Sequence, residues 1–252
     1  MMKTAKVAAV LFLSMLPLGA ISMGLVACNN DDENENSEII DKSPAQAIDL
    51  GLPSGTLWAS CNVGATKPEE YGDYFAWGET IGYKNGKTNF SWDTYKWCKG
   101  AEDKLTKYCN DSNCGNNGFT DNKTELELED DAAYVNWGGN WRIPSFNQIR
   151  ELVNNCTWEW TTSNGLNGYK VISKKNGNFI FLPAAGWYYN SEFKRAGTVF
   201  LYWSRSLDTE ANNPFNAYRM GGNSEVVISN KNEGYVSTIR VFGCSIRPVR
   251  MK

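Results

Sequence analysis

The sequence predicts an α+β domain of twisted antiparallel strands with two short helices and long loops. Three observations lead there. Only two stretches carry a helical period, and they lie close together near the middle of the chain. β-rich runs punctuated by turn residues fill most of the chain beyond them. Between the first strands and the helices, residues 82–122 are rich in Asn, Gly, Lys and Asp, which reads as one long decorated loop.

In "AIDLGLPSGTLWASCNVGA" two short strands flank Pro53-Ser54-Gly55, where proline presets φ and glycine comes two residues later, as a tight turn requires. "LELEDDAAYVNWGG" opens with acids that suit a helix N-terminus and closes on Gly138-Gly139. "PSFNQIRELVNN" is the stronger helix. Ser145 and Gln148 form a capping box, and Phe146, Ile149, Leu152 and Val153 make one apolar face. "YKVISKKNGNFIFLP" reads as a hairpin turning at Asn176-Gly177 with a type I′ geometry. Further strands are expected at residues 201–204, 217–220, 226–229 and 244–249.

The N-terminus reads as an address. Lys3 and Lys6 precede an apolar run over residues 7–27, the pattern of an export signal. Pro17, Gly19 and Gly24 weaken that run as a membrane-spanning helix. Leu25-Val26-Ala27-Cys28 resembles the bacterial lipobox, which implies cleavage before Cys28 and acylation of its thiol and new amine. Several acyl chains together anchor a protein firmly to lipid. An acidic stretch then runs to Glu38 as a solvated, self-repelling tether. The expected organisation is therefore a signal peptide over 1–27, a lipidated cysteine and tether over 28–44, and a single domain over 45–252. The expected location is the outer membrane, anchored by lipid and facing the cell surface.

Composition narrows the chemistry. The chain has 252 residues and no histidine, so Ser-His-Asp and Cys-His nucleophilic pairs and His-ligated metals are excluded. Net charge is −3 with no basic block, so nucleic acid is not expected as a partner. No metal or cofactor site is expected. Besides Cys28 there are six cysteines, an even number that permits disulfides in an exported chain. Cys98 and Cys109 would close a short loop, with Cys114 competing for the same bond.

The motifs "DLGLPSGTLWASCNVGA", "YGDYFAWGE", "DDAAYVNWGGNWRIPS", "FIFLPAAGWYY", "YWSRSL" and "GCSIRPVR", in this order, resemble the Fibrobacter succinogenes major paralogous domain and the related Lcl C-terminal domains of Bacteroidota lipoproteins. That resemblance implies a C-type-lectin-like fold, close to formylglycine-generating enzymes, with neighbouring termini. It does not carry their catalysis. The enzymes use a close cysteine pair near the C-terminus, and here Cys244 stands alone there. The calcium motifs of C-type lectins are also missing.

Asp130, Asp131, Arg142 and Arg247 are expected to form buried ion pairs that fix the scaffold, with Arg150 and Glu151 on a solvated edge. The aromatic stretches "GWYYN" and "YWSRSLDTEANNPFNAYRM" suit a surface that stacks on sugar rings and hydrogen-bonds their hydroxyls. Trp187, Tyr189, Trp203, Arg205, Asn213 and Arg219 are the candidate ligand contacts. The expected function is a noncatalytic, adhesin-like surface protein that recognises a glycan or a protein. An envelope or pilus assembly component is the alternative, and an enzyme on the same fold is the third reading.

Overall fold

The computed structural model describes residues 40–210, 214–225, 227–228 and 237–252. Antiparallel sheets dominate it, with two helices, as an α+β reading expects. β1 (Ala47–Asp49) and β2 (Thr56–Ala59) pair around the expected turn, where the Gly55 N–H donates to Leu52 O at 2.9 Å. The last strand, β12 (Val249–Met251), pairs with the other edge of β2, so the two ends of the domain share one sheet.

The long segment after β2 contains 3-10 turns in place of strands or helices, yet it carries a core of its own. Phe90, Tyr95, Leu105 and Tyr108 are all buried. α1 (Ala132–Trp137) begins at Asp131, whose carboxylate accepts the Ala133 and Tyr134 N–H groups at 3.0 and 3.2 Å. It ends where Gly138 turns to positive φ. α2 (Phe146–Asn155) has the capping box read from Ser145 and Gln148, and it buries Phe146, Ile149 and Leu152. Phe146 stacks on Tyr218 at 4.1 Å, seating α2 on the central sheet.

That helix leads directly into β3 (Cys156–Ser163), which pairs with β4 (Leu166–Ser173), and β4 pairs with β5 (Phe179–Pro183). β3 is a strand beyond those expected. The two-residue turn with both φ positive is Asn164-Gly165, at 47° and 83°. At Asn176-Gly177 the chain instead makes a longer loop over 174–177, closed by Gly177 N–H to Ser173 O, and only Gly177 has positive φ. The type I′ assignment there is therefore corrected. Two lysines before the Asn-Gly pair lengthen the connection beyond two residues.

β6 (Trp187–Tyr189) and β7 (Glu192–Lys194) form a small hairpin. β8 (Val199–Leu207) and β9 (Asn216–Asn223) pair at the centre, and β10 (Val227–Ile228) and β11 (Ser237–Ile239) line the other side of β9. The strand expected over 244–249 is mostly irregular, with single bridges from Cys244 to Phe75 and from Ser245 to Tyr202.

The buried charges divide differently from expectation. Asp131 pairs with Arg142 at 2.7 Å, and Asp130 with Lys107 at 2.5 Å. Arg247 meets no carboxylate among the described residues. Its Nε donates to Asn62 Oδ1, Nη1 to Ala59 O and Nη2 to Phe181 O. These neutral acceptors tie the end of β2 and strand β5 to one guanidinium. Arg150 is exposed and Glu151 half-exposed, as an edge expects. At that edge Glu151 accepts from the Ser54 N–H and hydroxyl at 2.8 and 2.6 Å, pinning the first turn to α2.

Candidate functional site

Five aromatic rings from two distant parts of the chain converge on one open cleft of about 520 Å³. The hairpin β6–β7 supplies two of them. Tyr188 and Phe193 face each other across it and stack at 4.8 Å. The hairpin is held in place from both sides. Tyr188 exchanges backbone hydrogen bonds with Gly243, and Asn190, at its tip, exchanges them with Phe90. Asn190 takes φ 53° there, a conformation asparagine tolerates better than most residues.

The loop after β2 supplies the other three rings. Tyr83 stacks on Tyr188 at 4.3 Å, Tyr74 meets both Tyr188 and Phe193 edge-on, and Tyr71 completes the lining. The Tyr74 hydroxyl donates to Ala185 O at 2.7 Å, which fixes that ring. Tyr188 is 8% exposed and forms the floor, whereas Tyr83 at 38% and Phe193 at 46% stand open at the walls. Exposed aromatic faces beside a rigid aromatic floor offer stacking surface at little cost in side-chain order.

Glu70 and Lys84 supply the polar rim. Glu70 Oε2 accepts from the Thr66 and Lys67 N–H groups and the Thr66 hydroxyl. The Thr66 N–H holds its carboxyl below the ordinary value, so Glu70 stays ionised with Oε1 free of described partners. Burial pushes the Tyr188 phenol up to about 12, with Tyr83 adding to the shift, and burial raises Tyr71 and Tyr74 as well. The phenols of Tyr71, Tyr74 and Tyr188 therefore stay neutral at any ordinary pH, with the Glu70 carboxylate at the edge.

The residues expected from sequence do not form this site. Trp203 is fully buried and its indole N–H donates to Phe75 O at 2.7 Å, so it is core and offers no contact surface. Arg219 is buried behind the central sheet. Arg205 pairs with Glu125 at 2.9 Å and donates to Ile143 O, a scaffold role. Trp187 and Tyr189 flank Tyr188 on β6 but both pack, half-buried, against Phe242. Alternation along β6 puts Tyr188 alone on the cleft side. Asn213 and Cys28 lie outside the described residues.

The six described cysteines are buried free thiols, and the expected bond between Cys98 and Cys109 is not formed. The Cys98 thiol donates to Trp92 O, the Cys109 thiol to Asp111 O, and burial raises the pKa of both. Glu127, Glu129 and Asp130 gather within coordinating distance of one another. Lys107 reaches all three, so the group is already an ion-pair cluster. Among the described residues no helix is long and apolar enough to cross a membrane. Comparison of the chain with protein-family models, with characterised proteins and with solved structures found no match.

Proposed function

We propose that this protein is a noncatalytic, lipid-anchored binding protein of the bacterial outer membrane, displayed at the cell surface and recognising a glycan or protein ligand through the aromatic cleft. The observation that carries this reading is the open wall made by Tyr83 and Phe193 over a Tyr188 floor, with Glu70 and Lys84 at the rim. Sugar rings present C–H faces that pack on such rings, and their hydroxyls suit a fixed carboxylate and an ammonium. Cys28 provides the anchor and the acidic stretch after it the reach.

We assign the domain to the C-type-lectin-like paralogous domains it resembles. The sharing of one sheet by β1 and β12 supports that assignment, since such domains keep their termini together. An array of glycans and host-matrix proteins probed with the purified chain tests the function. Binding to a defined class of spots, lost in a Phe193→Ala variant, is the expected result. Silence across both sets would overturn it.

A further inference from the structure

We propose that β3 is a pairing edge, along which a second copy of this chain docks antiparallel and joins two three-stranded sheets into one. β3 is the outer strand of the sheet β3–β4–β5, and its whole length is in unbroken register with β4. The turn decides which backbone groups face which way. Ser163 and Leu166 flank a two-residue loop and form a hydrogen-bonded pair, so Ser163, Thr161, Glu159 and Thr157 direct their N–H and C=O groups to β4. Trp158, Trp160 and Thr162 direct theirs away from β4, and among the described residues nothing meets them.

Exposed edges are ordinarily blunted by lysine, proline, a bulge or a covering group. The opposite edge of this sheet is blunted in that way. Arg247 Nη2 donates to Phe181 O on β5 at 2.8 Å, and Pro183 at the end of β5 has no N–H to offer. β3 lacks every such device. It runs for 8 residues without proline, lysine or a bulge, and Glu159 is its one charge. A free edge of that length is a template for another strand.

The strand is complementary to a copy of itself. A twofold axis at Trp160 sets Trp160 against the copy's Trp160 and Trp158 against the copy's Thr162. Every outward N–H and C=O on both strands then has a partner. The same register sets Glu159 opposite the copy's Thr161, so like charges never face each other. Glu159 keeps Lys170 of β4 as its neighbour on the other side. On the inner face each Trp160 is half-buried, edge-on to its own Tyr169 at 5.1 Å, and pairing brings the two indoles side by side. The contact is isologous, so it closes at two copies, and the blunted β5 edges end the joined sheet on both sides.

Sedimentation equilibrium of the purified chain tests the edge. A contact between strand edges is small, so the dimer is weak, and the mass should climb from one copy towards two between about 1 μM and about 1 mM protein. Position 161 reads the register. Thr161→Lys puts a lysine opposite each Glu159 and should tighten the dimer about three- to tenfold, whereas Thr161→Glu puts like charges there and should weaken it by a similar factor. Thr161 is exposed, so neither change disturbs the fold of one copy. Thr162→Pro removes an outward N–H, leaves the ladder to β4 intact and should abolish pairing; should that variant misfold, the two charge variants decide. A chain that stays monomeric over this range, as it would if the edge receives a strand of a different protein, overturns the proposal. So does a dimer indifferent to the charge at 161, or one that survives in folded Thr162→Pro.

Discussion

Replacing Asp131 by alanine should cost about 4 kcal/mol of folding stability. The side chain is fully buried and gathers four separate donors. It caps α1 through Ala133 and Tyr134, accepts the Ile143 N–H at 3.0–3.1 Å, and pairs with Arg142 Nε at 2.7 Å. Loss of an N-cap costs about 1 kcal/mol. A buried backbone donor left without a partner at Ile143 costs about 2 kcal/mol. The pair with Arg142 contributes about 1 kcal/mol, because its guanidinium side is 29% exposed and water screens it. Asn at this position retains one acceptor and should lose about half as much. Urea denaturation of the three proteins, monitored by tryptophan fluorescence, measures the differences. A loss below about 0.5 kcal/mol in the alanine variant would mean that Asp131 does not organise the junction between α1 and the strand-like run through Ile143, and the reasoning would fail.

Two further outcomes are expected. Lys107 and then Lys123 hold the Glu127 carboxyl at about 2, below its ordinary 4.5. Its stabilising contribution is therefore complete above pH 4.5 and is lost as pH falls toward 2; melting temperatures across that window should drop less steeply in Glu127→Gln than in the natural protein. Intact-mass analysis of the chain from bacterial membranes should show an N-terminus at Cys28 carrying acyl chains, and Cys28→Ser should release the protein from the membrane fraction; an unmodified thiol would remove the anchor from the scheme.

How much of the fold is legible in the sequence depends on how local the determining physics is. The capping box at Ser145 and Gln148 and the turn at Pro53-Gly55 are decided by neighbours a few residues apart, and both are where the pattern puts them. β3 is legible too, since Trp158 and Trp160 alternate with Thr157 and Glu159 before Asn164-Gly165, a period-two run ending in a two-residue turn. The later Asn-Gly pair carries the same dipeptide signal and competes with it. The cleft is another matter. Tyr71, Tyr74 and Tyr83 lie in a loop with no period, and the bridges from Phe90 to Asn190 and from Gly243 to Tyr188 bring the distant hairpin to them. Nothing near Phe193 in the chain announces its place at that wall. Trp203 and Arg219 resemble ligand contacts as polar-tipped residues in an aromatic stretch, but β8 and β9 are central strands, which turn such side chains inward.

Affinity of the strongest array ligand for the natural protein and for Tyr83→Ala and Phe193→Ala is the most direct test of the cleft. Each ring contributes a stacking face worth about 1 kcal/mol, so each variant should bind about five- to tenfold more weakly while melting like the parent. Unchanged affinity in both would place the ligand elsewhere on the molecule and contradict the account.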